Sequence, residues 1–289
     1  MKIVVCVKQV PQTEQVRIDH RTNTLIREGV ESMLNPFDEF AVEEALRIRD
    51  RWGGKIEVVS MGPPQAEQAL ATCCAMGADR GYLLSDPSLS GSDTLGTAFA
   101  LSRLIGKIGF DLILCGQEST DSSTGQVGPE IAEFLNIPQV TFASRIEFVG
   151  ENGPKRLSVQ RETDRGYQTV HTSLPVLITV VKGINQPREP RRSHSNASVT
   201  KLDASFLHCR PERLGADGSP TQVVKIEAAA QRRRQQVLID SKLPARERLR
   251  QVITGGIKSK ENALKIPGDS AEAAKRAVDF ILDIIETKS

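Results

Sequence analysis

Aromatic residues are scarce in this chain of 289 residues: phenylalanine, tryptophan and tyrosine together make up 4%, with one tryptophan and two tyrosines. The arginine-rich stretches have no interleaved aromatics on which bases would stack and no recognisable nucleic-acid motif, which argues against nucleic acid as a partner. No apolar run approaches the ~20 residues that a membrane span requires. The opening Met1-Lys-Ile-Val-Val-Cys-Val-Lys8 lacks the long apolar region and small-residue cleavage site of a secretory leader, so it reads as a first strand and sets the expectation of a cytoplasmic location. Neither phosphate fingerprint, Gly-x-x-x-x-Gly-Lys-Ser/Thr or Gly-x-Gly-x-x-Gly, occurs. The five cysteines (Cys6, Cys73, Cys74, Cys115, Cys209) show no Cys-x-x-Cys, and the four histidines are scattered, with only His208 and Cys209 adjacent. Zinc and iron–sulfur ligation need clustered ligands, so no metal is expected and the cysteines read as reduced core thiols.

What is present is the composition of a folded soluble protein, 39% hydrophobic and 26% charged, long enough for one large or two modest domains. Up to about residue 140, β-branched runs alternate with helical patterns. The pattern predicts strands at Ile3–Val7, Ile56–Ser60, Gly81–Leu84 and Leu112–Cys115. Helices are predicted at Asp38–Arg51, Ala66–Met76, Thr94–Lys107 and Pro129–Leu135. Such alternation implies right-handed crossovers and a parallel sheet covered on both faces, that is, a Rossmann-like three-layer α/β sandwich.

The stretch Gly116-Gln-Glu-Ser-Thr-Asp-Ser-Ser-Thr-Gly-Gln-Val-Gly-Pro129 follows an apolar strand and precedes a helical pattern. At a helix start several backbone N–H groups lack partners and the dipole favours an anion, so small residues there suit a phosphate. Ser, Thr, Asp and Gly are equally the residues of an ordinary surface turn, and composition leaves both readings open. In doubly wound sheets ligands bind beyond the carboxyl ends of the strands, where this loop, Gly62 and Lys8 would converge on one crevice. Asn35-Pro-Phe-Asp38 opens a helix with a capping residue, a first-turn proline and carboxylates at Asp38 and Glu39. Capping explains these residue types, and a ligand contact at the same N-terminus is the second reading.

After Pro138 the period changes to two: Gln139–Phe148, a turn at Glu151-Asn-Gly153, Leu157–Arg161, a turn at Asp164-Arg-Gly166, and Tyr167–Thr172, an antiparallel extension of the sheet. Pro175-Val-Leu-Ile-Thr-Val-Val181 reads as a central strand buried on both faces, and the globular body is expected to end near Lys182. Beyond it the chain turns arginine-rich: residues 188–250 hold 14 Lys or Arg against 7 Asp or Glu, a surplus that favours an acidic partner surface. Ser270–Ile285 has the spacing of an amphipathic helix. The expected organisation is an α/β domain over 1–184 and an extended arm with a C-terminal amphipathic helix over 185–289.

Val4-Val-Cys-Val-Lys-Gln-Val10, Asn35-Pro-Phe-Asp-Glu-Phe-Ala-Val-Glu-Glu-Ala45, Met76-Gly-Ala-Asp-Arg-Gly81, Gly116–Pro129, Pro138-Gln-Val-Thr-Phe-Ala-Ser144 and Asn185-Gln-Pro-Arg188, in this order over nearly the whole chain, resemble the β subunit of electron transfer flavoproteins, the family that includes FixA. The resemblance implies a heterodimer with an α subunit that holds most of a redox FAD. Electrons would arrive from acyl-CoA or other flavin dehydrogenases and leave to downstream acceptors, with no substrate conversion by the chain itself. It further implies a nucleotide site in β formed by Cys6, Asn35, Pro36, Phe37, Asp38, Met61, Gly116, Asp121, Ser122, Ser123, Thr124, Gly125, Gln126, Val127 and Gly128. In that site Gly125 to Gly128 offer backbone N–H groups to phosphate, and Asp121 and Thr124 fix ribose or adenine.

One branch of the family holds AMP there as a structural ligand. Another holds a second FAD that takes hydride from NADH and splits the electron pair between two acceptors. Thr124–Pro129 and Asn35–Asp38 lean towards the flavin branch, whose loop commonly reads Asp-Gly-Asp-Thr-Ala-Gln-Val-Gly-Pro; here Ser122-Ser123 replaces Gly-Asp. The family's hydrophobic anchor and lysine-rich run after Arg188 are replaced by Arg191-Arg-Ser-His-Ser-Asn196, which puts dehydrogenase docking there in doubt. Two rivals use the same fold. A nucleotide-processing hydrolase or ligase needs a catalytic Asp or Ser after the first strand, which Lys8-Gln-Val-Pro11 does not offer. A lone adenine-nucleotide sensor has no use for the extended arm.

Overall fold

In the computed structural model, residues 1–12, 17–19, 24–26, 32–150, 155–191 and 198–224 are described, with Pro244, Arg246, Ala274, Lys275 and Val278. The chain forms two compact units, Met1–Glu227 and Ala228–Ser289. Of the amphipathic helix expected over 270–285, Ala274, Lys275 and Val278 are helical and exposed, and the rest lies outside the described residues, as do the turn at 151–153 and residues 192–197.

In chain order the elements of the first unit are β1 (Lys2–Cys6), β2 (Gln9–Pro11), β3 (Arg17–Asp19), β4 (Thr24–Ile26), β5 (Ser32–Leu34), α1 (Pro36–Trp52), β6 (Lys55–Met61), α2 (Glu67–Met76), β7 (Arg80–Leu84), α3 (Thr94–Ile108), β8 (Leu112–Gly116), α4 (Val127–Leu135), β9 (Gln139–Val149), β10 (Arg156–Thr163), β11 (Gly166–Ser173), β12 (Val176–Val180) and β13 (Val199–Leu202). Nine of these strands make one sheet in the order β11-β10-β9-β12-β8-β1-β6-β7-β13. From β9 to β13 every pairing is parallel, and β9, β10 and β11 extend the sheet antiparallel. This is the layered, mostly parallel α/β fold that the alternating pattern predicts.

Two apolar clusters lie on opposite faces of the sheet. Ala41, Val42, Ala45 and Leu46 of α1 and Leu70 and Cys73 of α2 pack with Ile3, Val5, Ile56 and Val58 on one face. Ala98, Leu101, Leu104 and Ile105 of α3 and Ile131 and Ala132 of α4 pack with Val4, Val59, Ile113 and Cys115 on the other. Alternate residues of each strand therefore serve alternate faces, which is why the strands read as unbroken apolar runs. All five residues of β12 are buried, as its central place between β9 and β8 requires. Burial at ~25 cal/mol per Å2 of apolar area makes these two clusters the dominant stabilising term.

Packing continues past Lys182. β13 pairs with β7 at the sheet edge, and Leu207 and Leu214 are buried in the α3–α4 cluster. The carbonyl of Leu207 accepts from the Arg103 guanidinium at 3.2 Å, and that of Phe206 accepts from Lys107 Nζ. The opposite edge is β11, whose Tyr167 is 65% exposed.

The strand order fixes where a site can form. β1 leads through α1 to β6 and on to β7, all on one side of β1; the chain then crosses by α3 to β8 on the other side. The direction of winding reverses between β1 and β8, and their carboxyl ends border the crevice where such sheets bind ligands.

Candidate functional site

Three segments converge at that switch point. The first is the end of β1 with Lys8. The second is the start of α1, where Pro36 occupies the first helical position and Asp38 and Glu39 the first turn. The third is the loop from Gly116 to Gln126 that enters α4.

Asn35 joins the second to the third. It is 1% exposed, and its side chain makes no cap bond to α1. Its Nδ2 donates instead to the Glu118 carbonyl at 2.9 Å, and its Oδ1 accepts from the Thr120 N–H at 3.2 Å. The capping role expected from residue type is thus corrected: a buried amide matched to both backbone groups of a loop is satisfied twice, whereas a cap would satisfy it once.

Asp38 joins the first segment to the second. Its Oδ2 accepts from the Lys8 N–H at 2.8 Å. Burial drives its carboxyl from an ordinary 3.8 to about 7, against hydrogen bonds from the Lys8 backbone, the Asn35 side chain and the Gly116 backbone that pull it down. Gly116 makes this closeness possible. A Cβ there would stand 2.5 Å from Asp38 Oδ1 and 2.8 Å from the Phe37 carbonyl carbon, contacts no side chain tolerates.

Lys8 closes the ring. Its Nζ donates to Asp121 Oδ1 at 2.7 Å and to Ser119 Oγ and Ser122 Oγ, each at 3.3 Å. Burial pushes the Asp121 carboxyl up, but the Lys8 hydrogen bond and charge, with Ser119 and Ser122, hold it below its ordinary value. Ser123 adopts a left-handed conformation, φ 49°, its N–H donating to the Ser119 carbonyl at 2.8 Å; Gly125 follows at φ 64°. These turns bring the chain to α4, whose N-cap residue Gln126 makes no side-chain cap bond. The first N–H groups of α4, including those of Val127 and Gly128, have no partner within the helix. Gly128 lets the helix start press on the sheet, since a Cβ there would meet Thr179 Cγ2 at 2.9 Å. The Gln126 side chain is engaged away from the helix start, where its Oε1 accepts from Thr94 Oγ1 at 3.2 Å.

The remaining candidates take up definite places. Cys6 ends β1, half-buried; Met61 ends β6, half-buried against the α3–α4 cluster; Phe37 is half-buried beside Gly116; Thr124 is exposed on the loop. Lys8 is absent from the site residues that the resemblance supplies. Its sequence signal was its place directly after the first strand's Val7. A shallow depression of about 360 Å3 lined by Pro64, Gln65, Glu67, Gln68, Ala71 and Val199 involves none of these residues.

Fold and crevice together define a doubly wound α/β protein with a switch-point site in which small residues and an uncapped helix start suit an anionic ligand. The electron transfer flavoprotein domain family matches residues 22–207. The chain is 44% identical over 263 residues to an electron transfer flavoprotein subunit beta of Thermoanaerobacterium thermosaccharolyticum, covering 89% of this chain and 94% of the relative. It is 42% identical over 251 residues to a protein FixA of Azotobacter vinelandii, covering 83% and 89%. It is also 42% identical over 231 residues to the caffeyl-CoA reductase-Etf complex subunit CarD of Acetobacterium woodii, covering 78% and 87%. The chain belongs to the electron transfer flavoprotein family, and its role lies in electron transfer.

Proposed function

We propose that this chain is the β subunit of a heterodimeric electron transfer flavoprotein and that its switch-point crevice holds an adenine nucleotide, in the form of a second FAD. The observation that carries the nucleotide reading is the uncapped start of α4 at the end of a loop clamped from both sides by Asn35 and Lys8. Backbone N–H groups of Gly125, Gln126, Val127 and Gly128 would take the pyrophosphate without help from a P-loop lysine. Asp121 and Thr124 would face ribose or adenine. Lys8 holds the Asp121 carboxylate in one orientation, and Asn35 fixes the loop backbone on which Asp121 and Ser122 ride. A bound flavin supplies one- and two-electron chemistry; the protein's part is to position it and to shield it from water.

A relative that is an electron transfer flavoprotein subunit beta supports an α partner, and a relative within a caffeyl-CoA reductase-Etf complex supports a dehydrogenase-class partner. A flavin in the crevice makes NADH the natural hydride donor and electron bifurcation the corresponding activity. Because residues 199–214 pack on this chain's own sheet, docking on the α subunit would fall to the part of the expected arm beyond them. AMP is the second reading, favoured by the replacement of Gly-Asp by Ser122-Ser123.

The test is to co-express the chain with its α partner, purify the complex, release ligands with acid and count FAD and AMP per heterodimer by chromatography. Two FAD and no AMP support the full proposal. One of each leaves the β site structural. A chain that forms no complex and carries no flavin sinks the electron-carrier assignment.

A further inference from the structure

Cys6 ends β1, Cys115 stands one residue before the end of β8, and the two are register partners in the parallel ladder at the centre of the sheet. Register partners on adjacent strands project to the same face. Here that is the α3–α4 face, where Cys115 is buried and Cys6 packs half-buried against the same cluster. Both are free thiols, and the nearness of Cys6 raises the Cys115 thiol. Adjacent strands run ~4.8 Å apart, inside the ~4.4–6.8 Å span between Cα atoms that a disulfide bridges. Cys73 and Cys74, by contrast, are consecutive residues of one helix and project in different directions.

We propose that Cys6 and Cys115 form a reversible disulfide at the base of the crevice, made by thiol–disulfide exchange with a small-molecule disulfide. The neighbouring Cys6 and burial keep the Cys115 thiol well above the ordinary thiol range, so it stays protonated at neutral pH. Solvent reaches the half-buried Cys6, which attacks first. Its thiolate bonds to one sulfur of the small disulfide, whose S–S bond breaks and releases one small thiolate. That thiolate takes the Cys115 proton; Cys115 then attacks the Cys6 sulfur and expels the second small thiolate, which takes up from solvent the proton that Cys6 released. Two protein thiols are oxidised, and one small disulfide is reduced to two thiols.

The bond is a switch rather than a staple. Cβ atoms on in-register parallel neighbours sit near the ~4.8 Å strand spacing, beyond the ~3.5–4.5 Å that a relaxed disulfide spans, so closure must draw the two strand ends together and the strained bridge is easily reduced. Closure fixes the distance between the two strand ends that carry Lys8 and Gly116, and it does so whatever nucleotide the crevice takes.

The test uses the full chain with oxidised glutathione at mildly alkaline pH, alkylation of remaining thiols, trypsin, and mass spectrometry. Cys6 lies in the peptide 3–8 and Cys115 in the peptide 108–145. The expected result is a cross-linked pair of these peptides that dithiothreitol separates. In Cys115→Ser the exchange stops with glutathione attached to Cys6; in Cys6→Ser, Cys115 is recovered alkylated. Half-buried Cys209 serves as internal control that oxidant reached the protein. The proposal is overturned if Cys209 has reacted while the unmutated chain yields Cys6 and Cys115 separately, or Cys6 bridged to a different cysteine. Because the unmutated protein decides the matter, a variant that fails to fold leaves the test intact.

Discussion

The backbone N–H of Lys8 donates to Asp38 Oδ2 at 2.8 Å, tying the end of the first strand to the first turn of a helix 30 residues later. The accepting carboxyl is 5% exposed, and burial raises it to about 7. A carboxyl raised on folding lends its stabilisation fully below its ordinary value of 3.8 and loses it as pH climbs through about 7. Between about pH 5 and pH 8 the melting temperature of the unmutated chain should therefore fall more steeply than that of Asp38→Asn, whose amide does not titrate. Parallel slopes in the two proteins would remove Asp38 from the account. Glu39, Glu44 and Glu130 are also raised by burial and contribute a slope of the same sign to both proteins, so the difference isolates Asp38.

Asn35→Ala cuts both side-chain bonds to the loop, those to Glu118 and Thr120, without adding bulk. Two part-buried hydrogen bonds are lost, each worth ~0.5–1.5 kcal/mol. Nucleotide retention should weaken by roughly tenfold or more, measured as ligand bound after dialysis, with an unchanged far-ultraviolet circular dichroism spectrum. Full retention would mean that the loop holds its shape without the amide.

Gly116→Ala places a methyl 2.5 Å from Asp38 Oδ1 and against the backbone of Phe37. The start of α1 must retreat from the end of β8, at ~1–3 kcal/mol. Gly53→Ala, at a helix C-cap with nothing within 4 Å of the added Cβ, suffers only the strain of its φ of 71°. Both variants should lose stability in chemical denaturation, and ligand retained after dialysis should fall in the Gly116 variant alone.

Arg188 pairs with Glu43, its Nε 2.8 Å from Oε2, and with Asp50 at 3.0 Å. Glu43 is 5% exposed. Arg188→Ala leaves that buried carboxylate with the residue-188 backbone N–H, at 3.1 Å, but no counter-charge there, and a loss of about 3 kcal/mol in urea denaturation is expected. Arg188→Lys should restore only part of it, because a point charge cannot make the forked contact to both Glu43 oxygens. An alanine variant as stable as the parent would show that Glu43 is rehydrated or protonated at little cost.

The core strands and the four helices were legible because the buried strands are short apolar runs and each helix carries its stop signal, Gly53, Gly77, Gly109 or Asn136. β13 was not legible: Val199-Thr-Lys-Leu202 is four residues long and belongs to the sheet only through β7, more than a hundred residues earlier. The pairing of β2 with β5 was hidden likewise, since strands of three residues have no period to read. At the crevice the loop, α1 and the strand ends could be placed from sequence, but not the hydrogen bonds between them. Asn35 is a capping residue by type, and only the arrival of Glu118 and Thr120 gives its amide two better partners. Phe142, at φ 57° with its N–H on Thr179 Oγ1, lies beyond any local rule for a bulky residue.

The central place of β1 carries a consequence for how the chain comes into being. Its two neighbours, β6 and β8, emerge some fifty and some hundred residues after it, and its crevice residues wait on Asp121, 113 positions after Lys8. On the ribosome the first strand must therefore stay unpaired on one flank until β8 has cleared the exit tunnel, and the crevice is among the last features to take shape. A nascent chain truncated before Gly116 can collapse around α1, β6, α2 and β7, but it has nowhere to hold a ligand. Ligand capture at the proposed site would thus report that synthesis has passed the switch point and that both halves of the sheet have met.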